Sequence, residues 1–296
     1  MTRTAVVLIA HGTVESLDDL PTFLANIRRG HAPPPELLAE VRRRYEAIGG
    51  RSPLLDVCRD VARKLEAEVE LPVRIAMRLF HPYPEEMLAE LGEVDRLVVV
   101  PLAQHSAPIY AASVRAAVKD RPIEVLAAGN WGRIPELTHA YADAVLAALP
   151  DVPAEEIALV LTAHSLPVAV VRAGDPYEQE VRGSAADILA EVRARGGRFA
   201  EERVCFQSQG MGGNMEWLGP ELRPTLEELA RAGRKHVVIA PIGFLADHVE
   251  ILYDLDIEAK AWAGELGIVL HRTTSLNAGS GLIEALAAVT RSVLAG

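Results

Sequence analysis

The stretch from Ile157 to Pro167, which reads IALVLTAHSLP, constrains the fold of this 296-residue chain more than any other. Residues 157–161 form a short apolar run without polar alternation, a pattern typical of a strand buried on both faces of a parallel sheet. The run ends at Ala163-His164-Ser165, and Pro167 opposes its continuation. His164 is therefore predicted to lie just past the carboxyl end of a strand, where parallel α/β sheets bind their ligands.

Strand patterns alternate with helix patterns along the whole chain, which predicts an α/β protein with a parallel, doubly wound sheet in each half. The predicted strands are Thr4–Ala10, Val73–Leu79, Leu97–Leu102, Ile123–Ala127, one from Ile157, one at Val204, His236–Pro241 and Ile268–His271. Asp151-Val152-Pro153 has the composition of a linker. We therefore expect two domains, residues 1–150 and residues 151–296.

The two halves resemble each other weakly at four predicted strand ends. LIAHG at His11 parallels LTAHS at His164, and VVVPLAQH ending at His105 parallels VVIAPIGFLADH ending at His248. Each of the four ends thus carries a histidine, and a cleft between the two domains is expected to collect them. A packed or capping histidine is the alternative for His164.

Composition excludes several classes of function. The formal net charge is −11 and the estimated pI is about 5.4, whereas a nucleic-acid-binding surface is basic. The chain contains no GxGxxG and no GxxxxGK[ST] motif, so a nucleotide site is disfavoured. Ser165 does not lie in a GxSxG motif, which argues against a hydrolase of that class.

Cysteine usage indicates a reducing compartment. Cys58 and Cys205 are far apart and lack CxxC spacing, so no disulfide framework is expected and a cytoplasmic location is favoured. Two thiols also cannot supply the four thiolates that an iron–sulfur cluster usually takes. The apolar run Ala5 to Ala10 is too short for a signal-peptide core or a membrane span.

Three carboxylates, Glu250, Asp254 and Glu258, follow one another at spacings of four on a helix predicted from Asp247 to Ala263. Residues four apart share one face of an α-helix, so the three form a single ridge. Imidazole and carboxylate together suit iron, cobalt, nickel or zinc, and a ridge leading to a histidine can pass a divalent cation along. A neutral histidine beside a carboxylate can instead act as a general base. A solvated acidic helix face is the third interpretation.

Basic residues in the first half indicate an anionic ligand. Arg28-Arg29-Gly30 follows a predicted helix, and Arg42-Arg43-Arg44-Tyr45 precedes Gly49-Gly50-Arg51-Ser52-Pro53. Guanidinium groups match carboxylates with paired hydrogen bonds, and a Gly-Gly turn exposes backbone N–H groups. An ordinary basic helix face is the alternative, and several of these arginines are expected to be that.

Seven motifs, in order along nearly the whole chain, resemble the ferrochelatase family. They read IRRGHAPPPELL, RYEAIGGRSPL, TAHSLP, GDPYEQEV, QSQG, WLGP and PIGFLADHVEILYDLDIE. The first-half motifs look most like those of the soluble coproporphyrin III ferrochelatases. The resemblance implies a chelatase-like fold of two Rossmann-like domains with a porphyrin cleft between them.

The resemblance also implies roles for individual residues. His164 and Glu250 match the catalytic pair that binds the incoming metal or takes protons from the pyrrole N–H groups. Asp254 and Glu258 match the acidic ridge behind that pair. The implied porphyrin-binding residues are His11, Arg28, Arg44, Tyr45 and Ser52.

His11 departs from the family pattern. It falls where the coproporphyrin-type enzymes usually have a tyrosine that can ligate iron, although imidazole is also a good iron ligand. Another porphyrin-contacting tyrosine of the family aligns with Val114, and Tyr110 is the candidate to replace it.

The function implied is insertion of Fe2+ into a porphyrin for haem synthesis, with coproporphyrin III favoured and protoporphyrin IX possible. Fe2+ is then a substrate, and no cofactor, iron–sulfur cluster, nucleic acid or transmembrane segment is expected in this cytoplasmic monomer. Two alternatives stay open. One is a cobalt or nickel chelatase of another tetrapyrrole, and the other is a non-catalytic haem-binding or carrier protein.

Overall fold

Two four-stranded parallel sheets organise the computed structural model, which describes residues 2–210 and 215–296. The first sheet contains β1 (Thr4–Ala10), β2 (Val73–Met77), β3 (Arg96–Pro101) and β4 (Glu124–Ala127), in the order β2-β1-β3-β4. The second contains β5 (Ile157–His164), β6 (Glu201–Gln207), β7 (His236–Ala240) and β8 (Val269–Arg272), in the order β6-β5-β7-β8. The predicted α/β class with parallel sheets is confirmed.

Helices connect the strands. In the first half they are α1 (Leu20–Ile27), α2 (Pro35–Ala47), α3 (Leu54–Val69), α4 (Pro84–Leu91), α5 (Ala107–Ala117) and α6 (Pro135–Ala147). In the second half they are α7 (Val168–Arg172), α8 (Tyr177–Ala194), α9 (Leu222–Arg231), α10 (Val249–Leu252), α11 (Lys260–Glu265) and α12 (Ser280–Ala295). Within the described ranges, no helix has the length and apolar character that crossing a bilayer requires.

The chain divides into two compact units, each built around one sheet. The first comprises Met1–Trp131, Ala246–His248 and Asn277–Gly296, and the second comprises Gly132–Leu245 and Val249–Leu276. This division differs from the expected boundary between residues 150 and 151, because two helices cross it. Helix α6 packs against α8 and β7 in the second unit, while α12 packs against α3, β3 and β4 in the first. A parallel sheet needs both faces covered, and the position of a linker does not say which sheet a flanking helix covers.

Strand β5 lies inside the second sheet, and its register places the residues that follow. All residues from Ile157 to Ala163 are buried, as the unbroken apolar run predicts. Alternate side chains face opposite sides, so that Ala158 and Val160 join one apolar cluster and Ala163 joins another. His164 therefore emerges on the side of Ala158 and Val160, directly beside Gln207 of β6 in the parallel register.

The helix predicted from Asp247 to Ala263 is not a single α-helix. Helix α10 covers only four residues, and the stretch Asp254–Ala259 is a π-helix, in which the Glu258 N–H donates to the Tyr253 carbonyl at 2.9 Å. The wider turn lets the Asp254 carboxylate approach Ser208 while Leu255 stays in the apolar core. Apolar periodicity alone does not separate α from π geometry in so short a segment.

Candidate functional site

His164 and Glu250 meet at the carboxyl end of β5. His164 is the last residue of the strand, Glu250 lies in the first turn of α10, and the His164 Nε2 is 3.6 Å from Glu250 Oε1. About a third of each side chain is exposed, 34% for His164 and 33% for Glu250. The structure thus brings together the two residues that the sequence proposed as a pair, and leaves both accessible to a ligand.

The tautomer of His164 follows from its other contact. Nδ1 contacts the backbone carbonyl of Ser165, and because a carbonyl only accepts, Nδ1 carries the proton. In the neutral ring Nε2 is then an acceptor that faces a carboxylate oxygen. Two acceptors at 3.6 Å attract a proton or a cation between them. A metal ion about 2.1 Å from each atom would fit that separation, which is the usual ligand distance for imidazole and carboxylate.

The turn after β5 is held firmly in place. The Tyr177 hydroxyl donates to the His164 carbonyl at 2.9 Å, and the Ser165 N–H donates to the Gln207 carbonyl at 2.7 Å. Ser165 is fully buried, and its hydroxyl donates to the Leu218 carbonyl at 2.9 Å. These bonds fix the backbone that carries His164, so the imidazole is presented from a rigid support.

A glycine allows the loop after β7 to pack directly on β5. The Gly243 N–H donates to the Thr162 carbonyl at 3.0 Å. A Cβ atom at Gly243 would lie 2.6 Å from the Ala163 Cβ, closer than side chains approach. Glycine is therefore required beside the residue that precedes His164.

The end of β6 contacts the acidic segment that follows β7. The Ser208 hydroxyl donates to Asp254 Oδ2, and Ser208 has a left-handed backbone with φ of 59°. Asp254 is buried, and its carboxylate therefore joins the π-helix to the end of β6 inside the second unit. Non-glycine residues in this conformation concentrate at functional sites, where the surrounding structure imposes them.

The sequence analysis missed a different carboxylate in this segment. Asp256 forms a two-pronged ion pair with Arg272 of β8, with Nε to Oδ1 at 2.6 Å and Nη2 to Oδ2 at 2.8 Å. The sequence analysis predicted one ridge of Glu250, Asp254 and Glu258. In the structure Glu250 lies beside His164, whereas Asp254 accepts a hydrogen bond from Ser208. No local sequence signal connects Asp256 with Arg272, because their pairing depends on the docking of the π-helix against β8.

In the first unit, His11 follows β1 and is exposed. Its Nδ1 lies 3.1 Å from the hydroxyl oxygen of Tyr110 on α5, and its ring also makes an edge contact with Phe23. Gly12 has a φ of 117°, and a Cβ there would lie 3.0 Å from the Phe80 nitrogen. The structure therefore brings His11 and Tyr110 together, and glycine is required for the turn that follows His11.

Tyr45 and Ser52 are buried, each with 1% of its surface exposed. The Tyr45 hydroxyl lies 2.9 Å from the Thr13 hydroxyl, and Ser52 Oγ accepts from the Leu54 N–H at 3.3 Å at the start of α3. Both residues support the backbone of the first unit. Their contact with a porphyrin stays a prediction.

The two predicted arginines differ in their engagement. Arg44 Nε donates to Glu40 Oε1 at 2.7 Å, and its side chain is half-buried. The hydrogen bond with Arg43, followed by the contribution of Arg44, holds the pKa of the Glu40 carboxyl below its usual value, although partial burial opposes this. Arg28 is exposed at the end of α1. Arg28 is thus the guanidinium that the fold leaves more open to an anionic ligand.

The other two strand-end histidines have different surroundings. His105 is 3% exposed, and burial lowers its pKa to about 4, so it is a packed neutral histidine at neutral pH. His248 is half-buried, and its Nδ1 lies 3.0 Å from the Ala246 carbonyl oxygen. The expectation that all four strand-end histidines serve a cleft is therefore wrong for His105, because its side chain is enclosed in the core of the first unit.

A cavity of about 1140 Å³ lies in the first unit along β2, with α3 and α4 contributing to its wall. Its charged residues pair with one another, as in Arg74–Glu66 at 3.1 Å and His81–Glu86 at 2.8 Å. None of the predicted site residues lines it.

Among the described residues, no group of three or more histidine, cysteine or acidic side chains is arranged to hold a metal ion. The candidate site therefore rests on the paired geometry of His164 and Glu250.

Comparisons with known proteins identify the family of the chain. The sequence profile of the ferrochelatase family matches residues 3–294. The chain is 34% identical to the ferrochelatase of Herpetosiphon aurantiacus over 305 residues, covering 97% of this chain and 98% of the relative. It is 30% identical to the coproporphyrin III ferrochelatase of Bacillus subtilis, covering 97% and 96%. The solved structure of SirB from Bacillus subtilis with Fe3+ shares the fold, with a TM-score of 0.61, 15% identity and coverage of 99% and 96%. The chain belongs to the ferrochelatase family.

Proposed function

We propose that this protein inserts Fe2+ into a porphyrin, with coproporphyrin III as the favoured substrate and protoporphyrin IX as the less favoured one. The observation that carries the proposal is the pair of His164 Nε2 and Glu250 Oε1, 3.6 Å apart at a strand end, in a chain of the ferrochelatase family. An imidazole and a carboxylate at this distance can bind the incoming cation and can accept the protons that leave the porphyrin.

The proposed chemistry follows from the structure of a porphyrin. A flat porphyrin keeps its nitrogen lone pairs in the ring plane and carries N–H protons that must leave as the metal enters. Binding energy spent on bending the ring exposes the lone pairs and lowers the barrier to insertion. Two pyrrole protons must leave as Fe2+ enters: His164 Nε2 accepts them one after the other and releases each to solvent, and the Glu250 carboxylate offsets the positive charge that develops on the imidazole.

Guanidinium groups support the choice of substrate. Coproporphyrin III carries more carboxylates than protoporphyrin IX, and arginine forks bind carboxylates with charge-assisted hydrogen bonds. Arg28 and Arg44 are the proposed carboxylate-binding residues. The relative from Bacillus subtilis that matches this chain over nearly its whole length is named a coproporphyrin III ferrochelatase, which favours the same substrate here.

We propose a cytoplasmic monomer that needs no resident cofactor. Cys58 and Cys205 are buried and unpaired, which suits a reducing compartment. Burial raises the pKa of the Cys58 thiol to about 12 and raises that of Cys205 as well. Thiols held in their protonated form are poor metal ligands, which argues against an iron–sulfur cluster.

The test is an anaerobic assay of Fe2+ insertion, followed by the absorption change from free porphyrin to metalloporphyrin, with coproporphyrin III and protoporphyrin IX in parallel. We expect many turnovers per chain and faster turnover with coproporphyrin III. His164→Ala should lower turnover by about 10²–10⁴-fold, as loss of a general base does. The exposed His31→Ala should match wild type.

Three outcomes would contradict the proposal. A single insertion event per chain would indicate a haem carrier. Faster insertion of Co2+ or Ni2+ into another tetrapyrrole would indicate a different chelatase. Turnover of His164→Ala within a few-fold of wild type would remove His164 from the reaction.

A further inference from the structure

Gln207 lies beside the candidate pair in the second unit. It is the last residue of β6, and the parallel register sets it opposite His164 of β5. Side chains at paired positions of a parallel sheet project to the same face, so the Gln207 amide and the His164 imidazole lie on one side of the sheet. Gln207 is only 5% exposed, although it ends a strand.

The amide of Gln207 points its nitrogen at the segment that carries Glu250. Gln207 Nε2 lies 3.5 Å from the Glu250 carbonyl oxygen and 3.5 Å from Ser208 Oγ. A carbonyl oxygen only accepts, so in this orientation the amide directs its N–H at Glu250. Ser208 in turn donates to Asp254, so two consecutive residues at the end of β6 hold two positions of the acidic segment.

The oxygen of the same amide differs from its nitrogen. Gln207 Oε1 is buried and has no hydrogen-bond partner among the described residues. A buried acceptor without a partner destabilises the folded state, and an apolar side chain of the same length would avoid that loss. A glutamine is therefore unfavourable here for stability alone, and what distinguishes it from an apolar residue is the N–H directed at Glu250.

Glu250 needs such a tether because its own helix is short. Helix α10 has four residues, and the Tyr253 N–H to Val249 carbonyl bond of 2.8 Å gives it a single turn before the π-helix begins. A turn of that length has little stability of its own, so contacts with other elements must hold it.

We propose that Gln207 is a positioning residue for metal insertion: its amide ties the first turn of α10 to the end of β6 and sets the Glu250 carboxylate opposite His164 Nε2. The inference rests on the proposed function and deepens it. Gln207 acts through Glu250 and does not itself contact the reacting atoms.

The test compares Gln207→Met with wild type. Methionine is unbranched and of similar length, so it fills the space without the amide. We expect kcat for Fe2+ insertion to fall about tenfold with the porphyrin KM unchanged, because misplacement of a reacting group affects the chemical step. The Tm should stay equal or rise, since the buried oxygen without a partner is removed.

Thr162→Val is the matched control. Thr162 lies on the same face of β5 two residues before His164, and its buried hydroxyl also has no partner among the described residues. This variant removes a buried hydroxyl that makes no hydrogen bond to α10 in the described part of the chain. It should raise or preserve the Tm and leave kcat at the wild-type value.

Binding of Co2+ without porphyrin, followed by its visible absorption, gives a readout independent of turnover. Gln207→Met should bind Co2+ several-fold more weakly than wild type, and Thr162→Val should bind it equally well. Wild type that binds Co2+ but inserts no metal would overturn the proposed function, while the Co2+ affinities would still decide the role of Gln207.

Two results would overturn the inference itself. One is a Gln207→Met variant with wild-type kcat and Co2+ affinity. The other is a fall in kcat that accompanies a fall in Tm, which would mark Gln207 as a residue of stability alone. Wild type that neither inserts nor binds metal would remove the proposed function and this inference together.

Discussion

At the scale of single residues, burial separates the histidines that follow strands. His164 keeps about a third of its side chain exposed beside Glu250, whereas His105 is enclosed after β3. A partly exposed imidazole can exchange protons with a ligand, and an enclosed one is held in its neutral form. The same residue type at equivalent places in the chain is thus accessible to a ligand in one case and packed in the core in the other.

The enclosure of His105 predicts a loss of stability in acid. Burial lowers its pKa from 6.5 to about 4 on folding, so between these values the unfolded chain binds more protons. Stability is therefore complete above about pH 6.5 and falls as the pH drops toward 4. From pH 7 to pH 5, wild type should lose about 2 kcal/mol more free energy of unfolding than His105→Gln.

Urea unfolding at the two pH values, followed by circular dichroism, measures this difference. The exposed His31→Gln serves as the control and should lose as much stability as wild type. An equal loss in wild type and His105→Gln would show that His105 does not titrate on unfolding.

At the scale of elements, the loop after β7 and the helices that follow it control the position of the candidate pair. The loop contacts β5 at Gly243. Glu250 lies in α10, which is a single turn long and is followed directly by the π-helix. Short elements of this kind take their geometry from what they touch. Changes at their contacts should therefore affect His164 and Glu250 without altering either residue.

Gly243→Ala tests this contact between loop and strand. The new methyl group would lie 2.6 Å from the Ala163 Cβ and 2.7 Å from its Cα, so loop and strand must separate. We expect a loss of about 1–3 kcal/mol in the free energy of unfolding, with lower turnover because His164 moves with the strand.

The matched control is Gly264→Ala in α11. Nothing lies within 4 Å of a Cβ at that exposed glycine, and alanine favours a helix by about 0.5–1 kcal/mol over glycine. The two substitutions should thus shift the Tm in opposite directions. A Gly243→Ala variant as stable and active as wild type would show that the contact is not tight.

At the scale of the whole molecule, the first unit completes its core with a helix from a distant part of the sequence. Helix α12, at the end of the chain, packs against α3, β3 and β4 of the first unit. Its buried face includes Leu282, Leu286 and Val289. The first unit therefore cannot complete its core until the last helix of the chain is available.

Leu286→Ala tests the contribution of α12. Leu286 is fully buried, and truncation of such a leucine costs about 2–5 kcal/mol. Hydrogen exchange read by mass spectrometry should show faster exchange in β1 and β3, with β5 and β7 unchanged. Arg291→Ala on the same helix removes a surface ion pair with Glu68 and an exposed hydrogen bond to the Glu68 carbonyl, and should have little effect. Equal acceleration in both sheets would contradict the assignment of α12 to the first unit.

The sequence by itself determined the alternation of strands and helices, the buried character of β5, and the position of His164 at its end. These properties depend on a few successive residues, because apolar runs and chain breaks such as Ala163-His164-Ser165 act locally. The motifs also predicted that Glu250 pairs with His164. That pairing came from the family resemblance, because the spacing of the residues alone does not establish it.

Only the tertiary structure decided which side chains are accessible and which helix covers which sheet. Tyr45 and Ser52 are buried, His105 is packed, Asp256 pairs with Arg272, and α6 and α12 each cover a sheet across the expected boundary. The position of Gln207 beside His164 is likewise a matter of strand register. Each of these outcomes depends on contacts between residues far apart in the chain. The free energy of such contacts depends on the folded arrangement, so no local sequence pattern predicts it.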